Sequence, residues 1–248
     1  MSFAPVAPPQ LLLELKKQGL FGNYHLLLAH DVKAQADLYK EIFADRRKGD
    51  GVFVILDNSL IELGYPADIN TIAEAAEIVK PDCVVLPDHL GDYKQTVAAS
   101  AEAVEAWKGF DLPPFLGVVQ GNNLGEYMDC AKALIQMGCD FLSVPRVATQ
   151  ILGSRVNVVQ SIFSIHRVRM HLLGFSNVRF FDDLMSAKMP GVMGIDSAVP
   201  IRLGHQNITM TQQACSTVGP RGTYWEDCTE LTHTISHNLG VARGWFNV

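Results

Sequence analysis

In the stretch VMGIDSAVPIR, Val192 to Arg202, an apolar run meets Asp196 and is followed by Pro200 and Arg202. Other apolar runs also end on hydrogen-bonding side chains: YHLLLAHD on Asp31, VFVILD on Asp57, CVVLPD on Asp88 and FLGVVQ on Gln120. A carboxylate delivered to the end of a buried segment is costly unless it is paired or put to use. Taken singly, each of these acids also suits a helix N-cap or an Asx turn. Spaced one strand–helix unit apart, they suit a shared site where carboxylates move protons or capture a developing positive centre.

The elements that must position them follow a rhythm. Apolar, β-branched runs recur at residues 24–31, 52–57, 83–88, 115–120, 140–145, 170–175 and 192–196. Helix-like segments lie between them. In residues 69–80, Ile69, Ile72, Ala73, Ala76 and Val79 share one stripe, and residues 93–107 and 124–138 behave likewise, with Gly138 as a C-terminal stop. Continuous rather than alternating hydrophobicity suits parallel strands buried on both faces. The repeat predicts an α/β fold in one domain over residues 1–248, either a doubly wound sheet or a (β/α)8 barrel with an irregular C-terminal end. The polar strand ends decide for the barrel. All its C-terminal strand ends converge on one mouth, whereas an open sheet spreads them along an edge.

With 248 residues, 48% of them hydrophobic and 19% charged, the chain can bury a full core and is not a disordered protein. A net charge of −6 implies no bulk attraction to nucleic acid or anionic membrane. Five cysteines without a CxxC fit reduced thiols in a cytoplasm, and no run approaches the ~18 apolar residues of a membrane span. His233 and His237 stand four apart on an expected helix, with Cys228 and Cys215 upstream, a weak candidate set for zinc. GNNLG, residues 121–125, reads as an ordinary strand–helix turn and DRRKGDG, residues 45–51, as a solvated one. Arg167, Arg169, Arg179 and Arg202 suggest a local basic rim.

Taken in order, VILDNSLIELG, DCVVLPDHLGD, FLGVVQGNNLGEYMDCAKALIQMGCDFLSV, MHLLGFSNVRFFDDL and GIDSAVPIR resemble the successive motifs of tRNA-guanine transglycosylases, over about residues 50 to 202. The resemblance implies a (β/α)8 barrel that replaces guanine in a polynucleotide by a free 7-deazaguanine base through a covalent enzyme–ribose intermediate. It implies Asp196 as the nucleophile and Asp57 as the general acid/base. Asp88 and Gln120 would read the heterocycle, Leu173 and Gly174 would border it, and Arg202 would touch the substrate strand. A carboxylate can accept guanine's N1–H and 2-amino donors together, and the amide can donate to its O6.

The chain departs from the family where Asn58-Ser59-Leu60 replaces Ser-Gly-Gly and where Pro145-Arg146 replaces Gly-Gly. The bacterial zinc cluster is absent, so no cofactor is expected. Short length and the missing zinc subdomain favour the compact, phage-type relatives that act on DNA rather than tRNA; a cytoplasmic location and a homodimer are separate expectations. Two other classes stand beside this one: a nucleoside or deazapurine hydrolase acting on small molecules, and a non-catalytic partner subunit of a transglycosylase.

Overall fold

Each apolar run of the sequence becomes a strand, and each strand is followed by at least one helix. The computed structural model describes residues 1–46, 51–175, 180–216 and 227–246. The strands are β1 Ser2–Pro5, β2 Tyr24–Leu28, β3 Phe53–Asp57, β4 Cys83–Val85, β5 Phe115–Val118, β6 Phe141–Pro145, β7 Arg169–Leu173 and β8 Val192–Ser197. The helices are α1 Pro9–Lys17, α2 Ala29–Ala34, α3 Ala36–Phe43, α4 Leu60–Leu63, α5 Ile69–Val79, α6 Tyr93–Ala106 and α7 Leu124–Gln136. They continue with α8 Val147–Leu152, α9 Val156–His166, α10 Phe180–Ala187, α11 Val199–His205, α12 Gln212–Ser216 and α13 His233–Phe246.

All seven ladder pairings are parallel, in the order β1-β8-β7-β6-β5-β4-β3-β2. β1 and β2 lie side by side across the remaining seam, so the sheet curls into a (β/α)8 barrel. Alternation along the strands sorts the apolar residues into two layers. Leu26, Ile55, Val85, Leu116, Val118 and Phe141 fill the lumen. Leu27, Val54, Leu56, Val84, Leu142 and Leu172 face the surrounding helices. Both faces are buried, which is why the runs are unbroken.

The three longest foreseen helices start on side-chain caps: Asp68, Asp92 and Asn123 accept from the N–H groups of Thr71, Gln95 and Glu126. Beyond the last of these helices, Gly138 adopts φ 100°, a left-handed conformation that suits the expected stop. Asn123 makes the GNNLG segment an ordinary turn. Two expectations need correction. The first barrel strand is β1, too short and proline-flanked to stand out as an apolar run. Asp31 does not end a strand; β2 stops at Leu28, and Asp31 lies in α2, where Tyr39 Oη donates to it at 2.7 Å.

α13 packs on β1 and α11 and so covers the seam side of β1. Phe246 meets the rings of Phe3 and Phe175 at 5.9 and 5.7 Å, and Arg243 donates to the Leu20 and Phe21 carbonyls. Among the described residues, no helix is long and apolar enough to cross a membrane.

Candidate active site

The C-terminal ends of the strands open on a cavity of about 210 Å³. Asp57, Asp88, Gln120 and Asp196 all line it, and so do Leu173, Gly174 and Arg202. Every residue that the resemblance placed in the site therefore lies in one place, whereas Asp31, the other polar run end expected at the mouth, does not line the cavity. Its floor is apolar, from Val6, Leu26 and Leu28, while Glu62 and Arg146 add charge at the wall.

Asp57 is the last residue of β3. The chain then turns sharply through Ser59, whose φ of 64° is left-handed, a conformation uncommon for any residue but glycine. This turn brings the Ser59 N–H back to Asp57 Oδ2 at 2.8 Å and starts α4 without extending β3. Burial holds the Asp57 carboxyl well above the usual carboxylate range, and the charges of Glu62, Asp88 and Asp196 push the same way, against the Ser59 hydrogen bond.

Asp88 sits three residues beyond β4 and is also buried. Its Oδ1 accepts from Asn58 Nδ2 at 2.7 Å and its Oδ2 from Gln120 Nε2 at 2.6 Å. Gln120 Oε1 in turn accepts the Gly91 N–H at 3.0 Å. Burial pushes the Asp88 carboxyl up to about 6, opposed by these two amide donors.

Asp196 reaches the cavity because β8 carries one extra residue. Met170 pairs with Val192, but the next residue, His171, pairs with Gly194, leaving Met193 as a bulge. Val192 faces the helices, so strict alternation would put Met193 in the lumen and Asp196 among the helices. The bulge reverses that phase and aims Asp196 inward. Asp196 Oδ1 then meets His171 Nε2 at 2.9 Å and the Gly174 N–H at 2.8 Å. Its other oxygen accepts no hydrogen bond among the described residues.

Tyr24, Glu62 and His171 joined the site without having been assigned to it, while Asn58 and Arg146 stand at the two departures from the transglycosylase pattern that the resemblance placed along the pocket. His171 carried a signal, a polar side chain inside a buried run; Tyr24 carried none. The expected basic rim disperses. Arg167 and Arg169 lie at the N-terminal end of β7, away from the mouth, where Arg169 pairs with Asp140. Arg179 falls outside the described residues. Cys215 and Cys228 are buried, whereas His233 and His237 are exposed on α13. Among the described residues, no three His, Cys, Asp or Glu side chains group to hold a metal ion.

No family model and no curated protein sequence matches this chain. Among solved structures, it is similar to N-acetylneuraminate lyase from Mycoplasma synoviae, at 13% identity and a TM-score of 0.52, covering 83% of this chain and 75% of that one. It is similar to phosphoenolpyruvate phosphomutase from Streptomyces platensis subsp. rosaceus, at 12% identity and a TM-score of 0.51, covering 83% and 78%. It is also similar to 2,3-dimethylmalate lyase, of the PEP mutase/isocitrate lyase superfamily, at 14% identity and a TM-score of 0.52, covering 84% and 77%. At these identities the likeness establishes the barrel alone.

These findings correct the resemblance to tRNA-guanine transglycosylases and the guanine exchange drawn from it. The similar structures are lyase and phosphomutase barrels, not glycosyltransferases. In the site, Asp88 and Gln120, expected to read the two donors and the O6 of guanine, are bonded to each other and to Asn58 and Gly91. The motifs carrying the resemblance are strand ends and strand–helix turns, which a parallel barrel of any chemistry contains.

Proposed function

We propose that this protein is an enzyme that moves protons on a small polar substrate held in the barrel mouth. One observation carries the reading: Asp57 and Asp196 open on the same cavity of about 210 Å³, in different hydrogen-bonding surroundings. Carboxyl groups whose environments differ divide acid and base roles between them. Asp57, whose hold on a proton burial strengthens, is the acid that gives a proton to a departing or rearranging group. Asp196, whose Oδ2 faces the substrate, is the base that removes one. Asp88, braced by two amides, forms a rigid wall that accepts hydrogen bonds from substrate hydroxyls. Arg146 and Arg202 suit an anionic end of the substrate, since a guanidinium recognises a carboxylate or phosphate in a fork.

A lyase or isomerase acting on a small hydroxylated acid fits this arrangement, and the names of the similar barrels are of that kind. Schiff-base chemistry is not the route proposed, because it needs a lysine amine and no lysine among the described residues lines the cavity. The test is incubation with a panel of small hydroxy and 2-oxo acids in heavy water, followed by proton NMR. At least one should be converted or should gain deuterium at carbon, and Asp57→Asn should lose the conversion. A panel member converted equally by wild type and Asp57→Asn would remove Asp57 from the acid role.

A further inference from the structure

Beneath Asp196 a buried polar chain crosses the apolar lumen. His171 is fully buried, with Tyr24 Oη 3.0 Å from its Nδ1 and Asp196 Oδ1 2.9 Å from its Nε2. A neutral imidazole has one donor and one acceptor nitrogen, and an ionised carboxylate only accepts. With the imidazole neutral and Asp196 ionised, the directions are then fixed: Nε2–H donates to Asp196, and the Tyr24 hydroxyl donates to Nδ1. The opposite direction requires a protonated Asp196 and a second acceptor for the Tyr24 hydroxyl, and among the described residues that hydroxyl has none. Burial first, and then the charges of Cys83 and Asp196, keep the Tyr24 phenol protonated by raising it well above its ordinary value.

The lumen is shaped to admit this chain. A Cβ on Gly194 would fall 2.4 Å from the Tyr24 ring, so the missing side chain is what lets the phenol reach His171. Phe53 stacks on Tyr24 at 5.5 Å and holds the ring in place. Ordinary barrel packing would fill this layer with branched apolar residues, which need no partners. A buried polar chain raises the stakes, because any member left unpaired is expensive.

We propose that Tyr24 and His171 are positioning residues: the Tyr24 hydroxyl, donating to Nδ1, and Asp196, accepting from Nε2–H, together fix one tautomer and orientation of His171, which with the Gly174 N–H clamps Asp196 Oδ1 and leaves Oδ2 for the substrate. This rests on the reading of Asp196 as the base. The experiment is long-range proton–nitrogen NMR of the His171 imidazole in histidine-labelled protein at neutral pH. Wild type should show a single tautomer, protonated at Nε2. Tyr24→Phe, which keeps the ring and removes the hydroxyl, should keep Nε2–H and move the Nδ1 resonance toward that of an imine nitrogen that accepts no hydrogen bond. Asp196→Asn should retain the Nε2–H form, because the amide oxygen still accepts.

An Nδ1–H tautomer in the wild type overturns the proposal, and this needs no variant to fold. An unchanged Nδ1 resonance in a Tyr24→Phe protein with native circular dichroism overturns it equally, since a packing role alone predicts that result. A fixed tautomer alongside undiminished turnover in Asp196→Asn would instead sink the base assignment and leave the clamp standing.

Discussion

At the residue scale, the site combines buried carboxyl groups that differ in how they are held. Asp57 accepts a single hydrogen bond and is pushed up chiefly by burial. A carboxyl whose folded pKa is raised binds its proton more tightly folded than unfolded, so its effect on stability worsens as pH rises through that window. Asp57→Asn keeps an oxygen for the Ser59 N–H and removes the desolvated charge. Its melting temperature should exceed that of wild type at neutral pH. The difference should vanish below about pH 4, where the aspartate is protonated in both states. The same logic makes Asp88 titrate at about 6, readable from its carboxyl carbon by NMR. Ionising it between about pH 4 and that midpoint costs the fold about 3 kcal/mol. Asp57, Asp88, Gln120 and Asp196 were legible in the sequence because a polar residue ending an apolar run stands out. Tyr24 was not, because inside such a run an aromatic residue reads as core, and His171, though a polar side chain in a buried run, gave no local sign of the partner it meets about 150 residues away.

At the element scale, one residue of register decides whether Asp196 serves the lumen or the helix layer. Met193 is the unpaired residue of β8, half exposed, and its removal restores strict alternation after Val192. Deleting Met193 should straighten β8 while leaving Gly194 opposite His171 and Asp196 in the lumen, whereas inserting an alanine after Ile195 should turn Asp196 toward the helices. A buried charge would then face an apolar layer. The expected result of the insertion is a less stable protein without activity, measured by urea unfolding and turnover, whereas replacing Met193 by leucine should leave both near wild type. The bulge was invisible in the sequence, since a bulged strand and a regular one differ only in what they pair with. The long helices were readable because apolar stripes and capping side chains are local features. The tight Ser59 turn was not, because serine at positive φ carries no sequence mark.

At the scale of the whole molecule, the chain closes its barrel by bringing its first strand beside the last, then covering β1 with α13. Phe246 is fully buried there between Phe3 and Phe175. Phe246→Ala should cost about 3–5 kcal/mol, read from denaturant unfolding, and should speed hydrogen exchange in β1 more than in β5. The barrel itself was legible from the rhythm of strands and helices and from where the polar ends fall. The chemistry was not, because the motifs that resemble transglycosylases mark strand ends, while the reaction depends on how those ends bond to one another in the mouth. The central claim is that this mouth is a proton-transfer site with Asp196 as its base. It is tested most directly by following deuterium incorporation from heavy water into a turned-over small acid, with wild type and Asp196→Asn side by side. The account predicts incorporation by wild type and a loss of about a hundredfold to ten-thousandfold in the Asn variant, with native circular dichroism retained. Equal rates in the two proteins would contradict it.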